Sequence, residues 1–326
     1  MFGRLKLAML LTMTLLFGTL AAIFGAIIWL FGSGMSVGMG LLTAVVFSAV
    51  VTCLQWYFAP TLIKWMTRMK EASPEEQSWL YETVERLAQK AGIPKPRVYI
   101  VMDPTPNAFA FGRTKSNSNI AVHTGLLEVA SKDEAEAVLA HEIGHIKHWD
   151  VAVMTLASMV PLLVYYLVLF FGSSRNDENR GGSMILVWLG AMVAQFLSSL
   201  IVLHLSRTRE YYADAFSAVL TGKPHALRSA LAKISYGFPA VSREKYQGLR
   251  AFYIADPINS SALSESLRKD LGGGISSRKV QDAMDFERRR GFLETFSTHP
   301  LTFKRIEALN EVEKDLKEGK LSINAV

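Results

Sequence analysis

The sequence predicts a mainly α-helical membrane protein that also carries a small α+β domain. Three observations lead there. Half of the 326 residues are hydrophobic and the mean hydropathy is positive, more apolar than soluble domains of this length. Four uncharged runs, 7–31, 38–59, 151–171 and 184–205, are each long enough to cross a hydrocarbon core of about 30 Å at about 1.5 Å per residue. Between the second and third runs the composition turns soluble, and short β-rich stretches precede a helix containing His141-Glu142-Ile143-Gly144-His145.

Taken in order, the first run follows Arg4 and Lys6. A cleaved signal peptide is the competing reading, since Thr19-Leu20-Ala21 resembles a cleavage site, but the run exceeds an h-region of about 7–15 residues. The second run ends at Pro60. The loop joining the two lacks Lys and Arg while both outer ends have them. The positive-inside rule then puts the N-terminus and everything after Pro60 in the cytoplasm. Residues 1–60 form a transmembrane hairpin in this reading, 61–150 the first part of a catalytic domain, 151–205 a second hydrophobic hairpin and 206–326 the rest of that domain.

Within 61–150, Ser73-Pro74-Glu75-Glu76 predicts a helix start, with Leu80, Val84, Leu87 and Ala91 inward and Gly92 and Pro94 ending it. Strands are expected at 98–102, 107–112 and 119–124, with turns at 103–106 and 113–118. If one strand is a free edge along a cleft, an extended substrate can pair with it; a hairpin that only packs the helix is the alternative. Ser131 is the N-cap of the next helix, Glu134 its capping-box partner, and Ala135, Val138 and Leu139 its core face. The third and fourth runs return the chain at Arg207 to the side it left; Pro161 is tolerated in a membrane helix, and two buried helices of a soluble core are the alternative. Beyond them, 223–237 reads as a helix with Leu227, Ala230, Leu231 and Ile234 inward. Residues 260–277, with three successive glycines from Gly272, predict a loop that also admits a gating role, and 301–320 a charged amphipathic helix.

The net charge of +6 invites a nucleic-acid reading, but the cations sit beside apolar runs, as in Lys64, Arg68 and Lys70 or Arg207 and Arg209. That is what an anionic inner leaflet selects, so no nucleic-acid partner is expected; the bilayer is. The single cysteine, Cys53, forms no intrachain disulfide, and the sequence has no internal repeat.

HExxH on a helix puts two imidazoles one turn apart on one face, able to reach one zinc at about 2.0–2.1 Å with the glutamate beside a bound water. A zinc protease needs a third protein ligand and an open fourth position. His148 shares the face but lies about 10.5 Å along the axis from His141, too far to meet the same ion. The longer pattern HExxHxxGxxH fails because His148 and Val151 occupy its last two fixed positions. Glu210, in Arg209-Glu210-Tyr211-Tyr212-Ala213-Asp214, is the best candidate, and Asp214 on the same face can accept a hydrogen bond from a ligating imidazole.

With these motifs in place the chain resembles the HtpX family of membrane-bound zinc metalloproteases, relatives of type I CaaX prenyl proteases and mitochondrial Oma-type proteases. The likeness runs through the N-terminal spans, Asn107 to Gly112, the HEIGH motif, the hydrophobic hairpin, ExxxD, and Thr298-His299-Pro300 followed by Arg305-Ile306. It implies a gluzincin-like zinc protease fold with a small sheet on the HExxH helix. It also implies one zinc held by His141, His145 and Glu210, Glu142 as general base, and quality control of misfolded or damaged membrane proteins. The expected location is the cytoplasmic membrane of a prokaryote, with the catalytic domain facing the cytoplasm. The resemblance further suggests that Asn107, with Ala108 and Phe109, lines the substrate strand, and that His299 and Arg305 serve the active site. Two features depart from many relatives: Leu301 replaces a second proline, and 258–296 is longer.

The chemistry expected is hydrolysis of a peptide bond. Zinc lowers the pKa of a water from about 15.7 towards about 7 while Glu142 takes its proton and returns it to the leaving amine. His299 stabilises the developing oxyanion in this reading. A CaaX-type prenyl-peptide protease and a catalytically silent membrane scaffold are the competing functions. The oligomeric state is not encoded in any motif.

Overall fold

The computed structural model describes residues 37–154, 157, 161, 164–165, 168, 180–236, 277–289 and 291–321. The elements are α1 (Val37–Thr67), β1 (Lys70–Glu71), α2 (Ser78–Ala91), β2 (Arg97–Val101), β3 (Ala108–Thr114), β4 (Asn117–His123), α3 (Thr124–Val129), α4 (Lys132–Lys147), α5 (Arg180–Thr221), α6 (Pro224–Tyr236), α7 (Ser277–Arg289), a 3-10 turn (Gly291–Phe296) and α8 (Thr302–Lys317). The fold is mainly helical with one small mixed sheet. Chain contacts divide it into Met1–Gln55 with Met159–Ser198, and Trp56–Ser158 with Ser199–Val326. The predicted runs 7–31 and, apart from scattered positions, 155–171 lie outside the described residues, as does the predicted loop at 260–276.

In the first unit, the described residues of α5 carry exposed apolar side chains, among them Ile185, Leu186, Trp188, Leu189 and Val193. Among the described residues, α5 is the helix long and apolar enough to cross a membrane, from Ile185 onward. Helix α1 passes through Pro60 instead of stopping there. A missing N–H removes one helical bond, and in the second unit burial of Ile63 against Tyr99, Val101 and Phe111 holds the continuing turn on the sheet. Arg68, at φ 49°, then ends the helix.

The second unit holds the sheet, in the order β1-β2-β4-β3. β2 and β4 are parallel, β1 pairs antiparallel with β2 and β3 antiparallel with β4, so β3 is an edge. The three longer strands match the sequence reading to within three residues at each end. Their alternation sorts the side chains: Ala108 and Ala110 face the helical layer, while Phe109 and Phe111 join Tyr99 and Ile63 on the other face. Gly112 is needed where β3 bulges, because a Cβ there would lie 2.3 Å from the Asn117 carbonyl oxygen.

Helix α2 starts at Ser78, four residues after the predicted start. The Ser73 hydroxyl instead accepts from the Glu75 and Glu76 amides, capping a separate turn before the helix. Its end is as read, with Gly92 in the left-handed conformation. Helix α4 has the full capping box: Ser131 Oγ accepts from Glu134 N at 3.3 Å and Glu134 Oε2 from Ser131 N at 2.7 Å. Its apolar residues Val138, Leu139 and Ile143 meet Leu80, Val84 and Leu87 of α2, Phe216 of α5 and Leu227 and Leu231 of α6 in one core. Burying that stripe, at about 1.5–3 kcal/mol per large side chain, fixes the helix between sheet and bundle.

Candidate metal centre and active site

Helix α4 lies deep enough that His141 is 1% exposed. Its neighbour across the site is α5, and the two approach closely because residue 144 is glycine. A Cβ there would stand 3.3 Å from the Ala213 Cα and 3.2 Å from the Phe216 ring. This crossing sets Glu210 opposite both imidazoles. His141 Nε2 and His145 Nε2 lie 3.1 Å apart. Glu210 Oε2 is 3.6 Å from the first and Glu210 Oε1 3.6 Å from the second. The three donors converge within 4.8 Å of one another.

The tautomers follow from what lies behind each ring. His145 Nδ1 is 2.6 Å from Asp150 Oδ2; a carboxylate only accepts, so Nδ1 carries the proton and Nε2 keeps its lone pair. His141 Nδ1 lies 2.9 Å from Asp214 Oδ1, an ion-pair distance without good hydrogen-bond alignment. Both Nε2 atoms thus face each other and a carboxylate oxygen, and Glu210 Oε2 has no hydrogen-bond partner among the described residues. Electron pairs held this way repel unless a cation lies between them. Two ligands at about 2.05 Å on a tetrahedral ion are about 3.3 Å apart, close to the 3.1 and 3.6 Å separations found. The residues fit zinc. Burial opposes charge on His141, but the Asp214 and Glu210 carboxylates beside it push its pKa up to about 9. The pocket favours positive charge, which a zinc ion answers as well as a proton.

Glu142 is buried, and burial raises its pKa. Its Oε2 accepts from the Ala110 amide at 2.7 Å. Ala110 lies on the edge strand β3, on a face directed to α4, so the carboxylate sits at the margin of the sheet. A shallow, open cleft lies alongside, lined by Phe111, Gly112, Lys115, His145 and Trp149. On His145 burial acts first and the neighbouring His141 second, and both hold its pKa down.

The segment from the 3-10 turn to α8 closes the other side. Arg305 is 1% exposed and clamps Asp214 through two bonds, Nε to Oδ2 at 2.7 Å and Nη2 to Oδ1 at 2.6 Å. Its Nη1 lies 3.2 Å from Glu210 Oε2. Desolvation opposes its charge, yet Asp214 and Glu210 keep its pKa above the ordinary arginine value. His299 is buried with Nδ1 3.3 Å from Glu210 Oε2, and neither ring nitrogen has a hydrogen-bond partner among the described residues.

The structure therefore brings together His141, Glu142, His145, Glu210, Asp214, His299 and Arg305. Asn107, Ala108 and Phe109 sit at the start of β3 and are buried; the Asn107 carbonyl accepts from His123 N, and the Phe109 ring packs 5.7 Å from Phe111, on the sheet face away from the metal ligands. Strand alternation makes this unavoidable for Phe109 once Ala108 and Ala110 face the helix. His148, set aside as a ligand, packs its ring against Phe216. Two residues escaped the sequence reading. Asp150 lies behind His145, and Arg209, read there as a membrane-flanking cation, donates to Asp150 and to the His148 carbonyl. Arg207, read the same way, donates to the carbonyls of Glu294, Thr295 and Ser297. Cations flanking Glu210 were the available signal, but a sequence does not separate protein partners from lipid.

Residues 74–313 match Peptidase family M48. The protease HtpX homolog of Moorella thermoacetica is 35% identical over 320 residues, 95% of this chain and 95% of its own. That of Methanothermobacter thermautotrophicus is 43% identical over 231 residues, 71% of this chain and 86% of its own. That of Aeropyrum pernix is 35% identical over 321 residues, 93% and 96%. The crystal structure of S. mikatae Ste24p shares the fold, with a TM-score of 0.58 at 18% identity over 94% of this chain and 65% of that one.

Proposed function

The chain belongs to peptidase family M48, alongside its HtpX homologs, and from that premise we propose that it is a membrane endopeptidase that removes misfolded or damaged membrane proteins. As a member it is a zinc metallopeptidase, with His141, His145 and Glu210 as the metal-binding group. We place it in the cytoplasmic membrane of a prokaryote, with its N-terminus and catalytic part facing the cytoplasm. The cation distribution around its apolar runs supports that orientation. The interleaving of 1–60 and 151–205 as membrane hairpins with 61–150 and 206–326 as the catalytic part belongs to the same proposal.

Zinc, when bound, supplies a Lewis acid and acidifies water. Glu142 is the general base and then the general acid: its carboxylate is buried beside both imidazoles, and a raised pKa suits a group that takes a proton and hands it on. Asp214 keeps His141 in the tautomer that offers Nε2, and Arg305 holds Asp214. His299, whose ring nitrogens have no hydrogen-bond partner among the described residues, is the proposed donor to the developing oxyanion. The polypeptide lies along the edge of β3, where Ala108 offers outward main chain, while Asn107 and Phe109, whose main chain faces β4, hold the strand in place.

The observation that carries this is the meeting of three zinc donors with Glu142, whose carboxylate accepts from the edge strand β3 at Ala110. It is tested by Glu142→Gln, assayed at equal zinc content on an unfolded membrane protein. Turnover falls by about 10²–10⁴-fold if Glu142 moves the proton, and undiminished turnover excludes the role. Preferential cleavage of a prenylated peptide in the same assay would replace the substrate class and leave the chemistry.

A further inference from the structure

Behind each imidazole stands a carboxylate, and behind each carboxylate an arginine. For His141 these are Asp214 and Arg305. For His145 they are Asp150, whose Oδ2 accepts from Nδ1 at 2.6 Å, and Arg209, whose Nε and Nη2 both donate to Oδ1. Side-chain exposures of 11% for Asp150 and 19% for Arg209 put this pair largely out of water.

The backbone is shaped to make the contact. Five residues along a continuous helix rotate a side chain by about 140°, which would carry residue 150 away from the His145 ring. Instead α4 ends at Lys147, His148 caps it, and Trp149 takes a left-handed conformation at φ 61°. A bulky residue takes that conformation only at a conformational cost. The next helical turn then begins at Asp150, with Val153 N donating to the Trp149 carbonyl. The reversal points the Asp150 carboxylate back at His145. Arg209 also donates through Nη2 to the His148 carbonyl at 2.7 Å, so one guanidinium holds both the end of α4 and the carboxylate. Arg209 directly precedes Glu210, the ligand that α5 supplies.

We propose that Asp150, held by Arg209, is a positioning residue: it fixes His145 as an Nε2 zinc ligand and ties the helix bearing two ligands to the helix bearing the third. The proposal rests on the zinc site described above and assigns its second orienting pair. The Asp150 charge also makes the imidazole a stronger donor to the metal, so affinity depends on the pair and not on the ligands alone.

The test is zinc competition between the full-length, detergent-solubilised protein and a chromophoric chelator, with the absorption spectrum of the cobalt-substituted protein as a second readout. Asp150→Ala weakens zinc binding by about 10–100-fold, and Asp150→Asn, which keeps shape and an acceptor but loses the charge, by several-fold. Arg209→Ala weakens it too, and adding it to Asp150→Ala costs little more, because the two act as one unit. The cobalt bands shift in each variant. Wild-type zinc affinity and an unshifted cobalt spectrum in both Asp150→Asn and Arg209→Ala overturn the proposal, whatever happens to KM or thermal stability. A wild-type protein that takes up no zinc defeats the metallopeptidase reading and this one together.

Discussion

The two halves of the zinc site use the same parts at different depths. His141, Asp214 and Arg305 each have side chains 1% exposed, and Arg305 reaches past Asp214 to Glu210. His145, Asp150 and Arg209 are 17%, 11% and 19% exposed, at the end of a helix and beside the cleft. Charge without water must be neutralised by protein, so the inner pair is part of the fold as well as of the metal site. The outer pair keeps some access to water, and its loss is felt first by the metal. Depth, not residue type, separates a structural role from a positioning role here.

The largest effect that would break this comparison is Arg305→Ala. It leaves Asp214 buried and uncompensated, which costs about 3–5 kcal/mol. Denaturant unfolding of the zinc-free full chain should show that loss, against about 1–3 kcal/mol for Arg209→Ala. Equal losses for the two would mean that depth does not separate the halves. Arg305→Lys recovers only part of the stability, because an ammonium does not reproduce the two-pronged contact with Asp214.

The helix crossing joins the halves, and Gly144 sharpens the comparison at smaller amplitude. A side chain there meets Ala213 Cα at 3.3 Å, and backbone does not yield as a side-chain tip does. Gly144→Val therefore pushes α5 and its Glu210 away from both imidazoles together. We expect zinc affinity to fall by at least about tenfold, with an overpacking cost of about 1–3 kcal/mol. Gly144→Ala lies between Val and wild type. Unchanged affinity in the valine variant would show that the crossing is set elsewhere.

What the sequence disclosed and what it hid follow the same division by depth and range. HExxH, its capping box and ExxxD are local patterns, and helix geometry alone predicts which side chains share a face; His141, His145 and Glu210 meet as those patterns require. The strands were legible from alternation and turns, but not which of them became the edge, since pairing order depends on contacts far apart in sequence. Asp150 was hidden because its role depends on a left-handed Trp149, a conformation with no signal in a bulky residue. The protein partners of Arg207 and Arg209 were hidden for a related reason. A cation beside an apolar run satisfies the positive-inside rule equally well whether its partner is a lipid or a carbonyl, and here both guanidiniums have protein partners. The short strand β1 was hidden because its two exposed residues are held only by pairing with β2, and the run of α1 past Pro60 because Ile63 is buried on the sheet's far face, which no local pattern announces.

The smallest effect concerns how the catalytic helix is anchored at its far end. Glu134 is the capping-box residue of α4, and its carboxylate also accepts from Ser229 at 2.5 Å and Lys233 at 2.7 Å on α6. Burial works against its charge, but the Lys233, Ser229 and Ser131 contacts prevail and hold its pKa below the ordinary value. A carboxylate with a lower pKa folded than unfolded adds stability above its unfolded pKa of about 4.3, and the contribution is lost as pH falls through the folded value. Glu134→Gln keeps the shape of the cap but not the charge, so it should cost about 1–2 kcal/mol at pH 7. The unfolding midpoints of variant and wild type should then converge as the pH is lowered below about 4. Zinc affinity should stay unchanged, because the cap lies at the opposite end of α4 from the ligand His145. A gap between the midpoints that persists undiminished at low pH would mean that Glu134 acts through packing and not through its charge.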